Sequence, residues 1–423
     1  MNTPDAPNLA SRVDDYDPQS MTVAQARTFI AGHLKPVDGT MRVPLRSALN
    51  RFLAEDILSP VDVPAHINAA MDGYAVRFAD LAADGETALV VGTTVLAGSA
   101  RPEPLSPGQA ARIMTGAPIP ENADTVVMQE QARRDGDRVW IQPGQHAGQH
   151  VRLAGEDLHR GATALRRGHR LRAAELGLIA SLGIGEVSVF RPLRVAFFST
   201  GDELASIGQP LADGQIYDSN RYTLFGMLAA EGFDCFDLGV VRDHPVAIEN
   251  AFEEAARMAD VVITSGGVSV GEADFIKPLL ARMGEVVFWK IAMKPGRPLA
   301  YGRLGTSHFF GLPGNPVAVM VTFYAFVRDA LLALAGANPP AVVPRLTVRT
   351  TTPLKKAPGR TEFQRGIVSQ DAQGAWTVRS TGNQGSGILR SMTEANCFIV
   401  LPQDIGSVPA GAEVEVQLFE GLI

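Results

Sequence analysis

Four groups of small, hydroxyl-bearing or charged residues fall just where apolar runs of the chain give out. The first is Asp260 to Asp274 (DVVITSGGVSVGEAD), an apolar run leading into a glycine turn and then a helix start. Glycine lets backbone N–H groups close on an anion, and a helix N-terminus adds a favourable field. Ser265, Gly266, Gly267 and Ser269 are therefore candidate ligand-binding residues. The turn is neither a P-loop, which needs Gly-Lys-Ser/Thr, nor a GxGxxG fingerprint. By itself such a turn also serves as a plain tight connection. The second group is GLPGNP (311–316), after another apolar run and before another helix, with Pro316 suited to a first helical turn. Pro313, Gly314, Asn315 and Pro316 are its candidates, although a rigid joint has the same composition. Two such turns at neighbouring strand ends would face one crevice, which points to a phosphate-bearing ligand.

The third group is KIAMKPGRP (290–298), where Lys290, Lys294 and Arg297 lie on a loop stiffened by Pro and Gly. Converging cations serve an oxyanion, whereas an ordinary solvated basic loop would scatter them. The fourth is acidic: Asp202, Glu203, Asp218, Asp243 and Asp274. Mg²⁺ prefers oxygen ligands and commonly bridges one or two carboxylates to substrate phosphates. Asp202, Glu203 and Asp274 follow strand ends and suit that role; Asp218, just before Ser219-Asn220, reads as a helix cap.

The elements that must position these groups are legible as periodicity. Strand-like runs at Val195–Phe198, Val261–Ile263, Val286–Trp289 and His308–Leu312 alternate with helical segments near 219–231, 246–258, 272–283 and 316–335. Near-continuous apolar strands between amphipathic helices predict a mostly parallel, doubly wound sheet, with ligands at the strand carboxyl ends. Short apolar runs cut by Gly, Pro and Asp over 59–150 predict a β-rich insert. The expected organisation is a discontinuous helical and linker domain (1–58 with 151–190) around that insert, an α/β domain (191–340) and a small C-terminal β-barrel-like domain (341–423). Thr22 is the expected N-cap of a helix carrying Val23, Ala26, Phe29, Ile30 and Leu34.

Composition narrows the function. The 423 residues carry 38 Lys+Arg against 45 Asp+Glu, a net charge of -7, so there is no basic surplus for nonspecific nucleic-acid binding. The two cysteines, Cys235 and Cys397, are far apart and form neither a disulfide framework nor a thiolate metal site. The polar, acidic start lacks the pattern of a signal peptide. With no apolar run expected near ~20 residues, a membrane span is not expected either. The expectation is a multidomain protein of the cytoplasm.

Ten motifs in order resemble the molybdopterin molybdenumtransferase (MoeA) family, related to the C-terminal domain of gephyrin. They are MDGYAVR (71–77), IMTGAPIP (113–120), TVVMQE (125–130), GED (155–157), STGDEL (199–204), IYDSNR (216–221), SGGVSVGEAD (265–274), FWKIAMKPGRP (288–298), GLPGNP (311–316) and GRTEFQRG (359–366). The resemblance implies a Mg²⁺-assisted insertion of molybdate into adenylylated molybdopterin with release of AMP. It also implies a homodimer whose active site lies between the α/β domain of one subunit and the insert of the other. That raises Asp72 and Thr115, otherwise ordinary turn residues, to catalytic candidates beside Glu203, Asp243, Asp274, Lys290 and Lys294. Arg297 and Ser386 become substrate-binding candidates with the two glycine turns. Expected partners are the adenylyltransferase that supplies the pterin and the enzymes that accept the cofactor. The family usually reads Asp-Asn-Ser before Ala-Met-Asp, where this chain has Ile67-Asn68-Ala69. A molybdopterin adenylyltransferase and a non-enzymatic scaffold are the competing readings. The first should lack the insert and C-terminal modules, and the second should not need the charged residues.

Overall fold

The computed structural model describes residues 21–267, 276–340 and 343–419. Its centre is the α/β domain. Strands β9 (Arg194–Thr200), β10 (Asp234–Val241), β11 (Val261–Ser265), β12 (Gly284–Lys290), β13 (Pro298–Leu304) and β14 (Ser307–Leu312) form one sheet in the order β10-β9-β11-β14-β13-β12. The numbering follows the chain, the first eight strands belonging to the modules described below. The first four strands in that order run parallel, as expected. The other edge is an antiparallel meander, β14-β13-β12. The sequence pattern misses β13, because it opens on Pro298 and carries Gly302-Arg303 in its middle, which breaks the apolar run.

Both faces of the sheet are covered, and β9 shows why its residues are apolar without alternation. Val195 and Phe197 pack with Leu224 and Leu228 of α3 (Asn220–Ala230), whereas Ala196 and Phe198 pack with Ile248 and Phe252 of α4 (Pro245–Met258). Helix α5 (Ile276–Met283) adds Leu279 and Leu280 to the second face. On the first face Pro316–Leu334 is one helical run, α6 (Pro316–Thr322) and α7 (Arg328–Leu334) joined by a π-helical stretch at Phe323–Val327. This run is long and apolar enough to cross a membrane, contrary to the expectation of no such stretch. Most of it is buried in this chain's own core, which accounts for its composition.

Helix α1 (Val23–Ala31) is capped by Thr22, whose hydroxyl accepts from the Gln25 N–H while the Gln25 side chain bonds back to Thr22. Its buried face, with Phe29 edge-on to Trp289 and Tyr301, joins the α/β core. The sequence pattern alone groups this segment with the linker domain. Helical periodicity reports that a face is buried, not what buries it.

The linker module pairs β1 (Thr40–Pro44) antiparallel with β8 (Glu186–Phe190), and Val43, Leu53, Leu171, Ile179 and Val189 share its core beside α2 (Ala173–Ser181). Thus the two chain segments around the insert close on each other. The insert is a six-stranded sheet: β2 (Gly73–Val76), β3 (Thr87–Val95), β4 (Gln109–Ile113), β5 (Thr125–Met128), β6 (Ala132–Asp135) and β7 (Arg138–Ile141), in the order β5-β2-β4-β3-β7-β6. The C-terminal module has β15 (Arg345–Thr350), β16 (Thr361–Gln370), β17 (Trp376–Ser380), β18 (Cys397–Leu401) and β19 (Glu413–Leu418). These close into a five-stranded barrel, since β16 pairs with both β17 and β18 and the rest follow as β17-β15-β19-β18. The two-residue strand Met293–Lys294 adds to β16 and joins the basic loop to the barrel.

Candidate active site

The sheet register assembles the crevice. Ser199, Ser265 and Leu312, the last residues or nearly so of three adjacent parallel strands, lie side by side. Both glycine turns therefore leave the same edge. Strand β12 runs antiparallel to β13, and β13 antiparallel to β14, so the loop after Lys290 emerges there too. The first turn must be glycine: Gly266 has φ +92°, and a Cβ there would lie 2.6 Å from the Thr200 carbonyl oxygen. The Gly266 N–H donates to the Leu312 carbonyl at 3.1 Å, fastening one turn to the next strand. Asn315 precedes α6 as its N-cap and Pro316 takes the first helical position, so a helix N-terminus faces the second turn.

A cleft of about 420 Å³ lies between the α/β domain and the barrel, lined by Lys294, Arg297, Pro313, Gly314, Asn315, Arg360, Gln384 and Ser386, among others. Six of the sequence candidates thus meet in one space. Arg360 and Gln384 join them although the sequence pattern does not mark either as a site residue; nothing local shows that a barrel loop faces an α/β loop. Larger cavities open elsewhere, between the linker domain and the Pro316–Leu334 helices, but carry neither glycine turn. Lys294 is half-exposed and pairs with the buried Glu362 of β16 at 3.5 Å, so the barrel anchors the basic loop. Gln364 in turn donates to Glu362 at 3.0 Å.

The 384–386 loop is held from behind by Arg365, which is almost completely buried. Its Nε donates to the Ser391 hydroxyl at 3.0 Å and its Nη2 to the Gly385 carbonyl at 2.9 Å, while its backbone N–H donates to the Gln384 side-chain oxygen. Burial pushes this guanidinium down to about 10, still charged at neutral pH. A positive charge thus sits directly behind the cleft wall. Lys290 ends β12 opposite Pro298 and is not part of the cleft lining.

On the far side of the edge, Asp202 and Glu203 follow β9 and are exposed; the Asp243 N–H donates to Asp202 at 3.3 Å. Ser269 and Asp274 lie outside the described residues. Among the described residues no three His, Cys, Asp or Glu side chains converge on a metal position. Two exposed carboxylates nevertheless suit Mg²⁺, which takes its remaining ligands from phosphate and water, although neither lines the 420 Å³ cleft. Asp218 accepts from the Arg221 N–H at 3.3 Å, which caps α3, and is also bonded by Ser199 and the Arg221 guanidinium. The thiols of Cys235 and Cys397 are pushed up to about 11 and 12 by burial, far from a reactive thiolate.

Asp72 and Thr115 are brought together although 43 residues separate them. Strands β2 and β4 are antiparallel with Gly73 opposite Ile113, so Asp72 and Thr115 meet at the same end. One Asp72 oxygen accepts from the Thr115 N–H at 2.7 Å and its hydroxyl at 2.8 Å. These bonds, the backbone one foremost, hold the exposed Asp72 carboxyl below the usual carboxylate range. No residue of the insert lines the 420 Å³ cleft of the same chain.

A crevice at the carboxyl edge of an α/β sheet, completed by a barrel in a chain that also carries a β-rich insert, defines the class of protein. Residues 21–183 match the MoeA N-terminal region (domains I and II), 196–333 a probable molybdopterin binding domain, and 347–419 the MoeA C-terminal region (domain IV). The chain belongs to the MoeA family of transferases, which act in molybdenum-cofactor biosynthesis. It is 44% identical over 95% of its length to the whole molybdopterin molybdenumtransferase of Haemophilus influenzae, and 37% identical over 88% to 87% of that of Nostoc. Among solved structures, the molybdopterin biosynthesis MoeA protein of Pyrococcus horikoshii superposes with a TM-score of 0.81 at 30% identity, covering 95% of this chain and all of that one.

Proposed function

We propose that the protein inserts molybdate into adenylylated molybdopterin, releasing AMP. The observation that carries this is the cleft in which Lys294, Arg297 and Arg360 face the Gly314-Asn315 turn and Ser386. Molybdate is a tetrahedral dianion and the pterin bears phosphate, so several anionic groups must be held together. Three cations, an α-helix N-terminus and the buried Arg365 charge offset that repulsion. Lys294 is oriented by Glu362, and Ser386 and Gln384 by the Arg365 bonds, so their donors need little rearrangement when the anion arrives. The Ser265–Gly267 turn suits the phosphate of the pterin through the Gly267 N–H, since the Gly266 N–H is bonded to Leu312, with Ser269 in the same motif. Mg²⁺ held by Asp202 and Glu203, with Asp274, would supply charge neutralisation at the diphosphate.

Asp72 and Thr115 act, in this reading, on the cleft of a second copy. Large exposed apolar side chains suit such a homodimer: Ile207, Leu211, Ile216, Tyr217, Tyr222 and Phe225 between β9 and β10 in the chain, and Ile67 and Met71 just before Asp72. Of the two departures, Ile67 is exposed and Ala69 is buried, and the Asp72–Thr115 bonds stand beside them. The two unpaired thiols fit a reducing, cytoplasmic compartment. An adenylyltransferase would supply the pterin, and molybdenum enzymes would take the product.

The test is AMP release from adenylylated molybdopterin with Mg²⁺, with and without molybdate. Molybdate-stimulated release is the expected result. Tight binding with no release under any oxyanion would overturn the insertase reading in favour of a carrier or scaffold.

A further inference from the structure

The two glycine turns are separate in sequence, and the structure joins them through one side chain. Asn220, the first residue of α3, is 8% exposed, and its Nδ2 lies 2.8 Å from the Ser265 hydroxyl and 2.6 Å from the Gly314 carbonyl. A carbonyl can only accept, so the amide nitrogen must face Gly314 and the orientation of the group is fixed. Ser265 extends the bridge to the Pro313 carbonyl at 3.4 Å. Below it, the Gly266 N–H is bonded to Leu312. The turns are nearly in contact, since a Cβ on Gly314 would lie 3.9 Å from the Gly266 Cα. The only side-chain atoms tying the outer parts of both turns to a helix are therefore those of Asn220, among the described residues.

We infer that Asn220 is a positioning residue that locks the Ser265–Gly267 turn to the Pro313–Asn315 turn, fixing the spacing at which they hold a phosphate-bearing ligand. The physical reason lies in the alternatives. Glycine turns close on an anion because they lack side chains, and for the same reason they have no packing of their own to hold a spacing. A buried amide with one donor group shared between a hydroxyl and a carbonyl supplies that restraint from the rigid end of α3. Hydrophobic residues at position 220 could fill the space but would leave the Gly314 carbonyl and the Ser265 hydroxyl without this partner.

This inference rests on the proposed function for the identity of the ligand, but the lock itself is measurable without one. Amide hydrogen exchange would be followed at Gly266 and Gly314 in the full-length protein, for wild type, Asn220→Ala and Asn220→Asp. The aspartate is nearly isosteric but offers only oxygens, so it removes the donor to both Ser265 and Gly314 and sets a carboxylate oxygen against the Gly314 carbonyl. Leu224→Ala, in the buried face of the same helix, is the control for general destabilisation. Both Asn220 variants should exchange the Gly266 amide about ten-fold faster or more while strands of the sheet keep wild-type protection. Leu224→Ala should lower the melting temperature without that selective change. With adenylylated molybdopterin, the Asn220 variants should raise KM about ten-fold and change kcat less than about three-fold. Unchanged exchange at Gly266 in both Asn220 variants, or the same selective loss in Leu224→Ala, overturns the lock. Faster exchange together with a wild-type protein that does not bind adenylylated molybdopterin supports the lock and overturns the functional reading instead.

Discussion

Substituting Gly296 by alanine should damage the anion cleft through a contact that can be specified in advance. Gly296 lies between Lys294 and Arg297, with φ +97°, a region that costs a residue with a Cβ about 1–2 kcal/mol. The added methyl would lie 2.5 Å from the Thr322 hydroxyl and 3.3 Å from the Met293 Cε. Thr322 and Met293 are both fully buried, so neither can swing into solvent. Overpacking of this kind costs about 1–3 kcal/mol, giving a total near 2–5 kcal/mol. If the loop moves to relieve the clash, the two cations it carries move with it. Chemical denaturation should show the loss of stability, and calorimetric titration with molybdate should show binding weakened about ten-fold or more. The Thr322 hydroxyl has no hydrogen-bond partner among the described residues, so removing it breaks no bond. Thr322→Ala combined with Gly296→Ala should therefore recover about 1–3 kcal/mol relative to the sum of the single changes. Additive effects within about 0.5 kcal/mol, or a Gly296→Ala protein as stable as wild type, would refute the reasoning.

Two further predictions concern charge. Burial drives the His308 imidazole down to about 4, and nearby Arg303 adds to the effect, so the folded protein holds this ring neutral. The unfolded chain binds that proton near pH 6.5, so stability is present above about pH 6.5 and falls as pH drops toward 4, by about 3 kcal/mol. Asp260 contributes in a lower window. Burial opposes its ionisation, but Arg191 and Arg194 outweigh burial and depress its carboxyl, so its contribution is lost as pH falls below the unfolded carboxylate value. Denaturation midpoints across pH 3–8 for wild type and His308→Gln should differ in slope in the upper window only; identical slopes there would remove His308 from this account. Lys294→Ala should raise the molybdate concentration for half-maximal AMP release about ten-fold or more while shifting the pterin requirement by less than about three-fold. An unchanged molybdate response would take Lys294 out of the oxyanion site.

The sequence by itself determined the local grammar. Thr22 caps its helix as read, Pro316 opens α6, and the unbroken apolar runs at 195–198 and 261–263 are strands buried on both faces. Each depends on spacing within a few residues, where backbone geometry dictates the pattern. The ordered motifs were equally legible, and with them the family. Tertiary structure decided what those patterns face. Helix α1 joins the α/β core, β13 forms despite its proline and glycine, and the apolar run at 316–334 is a core helix. The same holds at the site. Arg360 and Gln384 reach the cleft because the barrel docks beside the basic loop, with Glu362 meeting Lys294 through the pairing of Met293–Lys294 with β16. Asp72 finds Thr115, and Asn220 finds Ser265 and Gly314, through strand register and sheet order. Such contacts bring together residues tens of positions apart. No periodicity encodes them, because the energy that selects them comes from burying whole faces and not from the residues that end up touching.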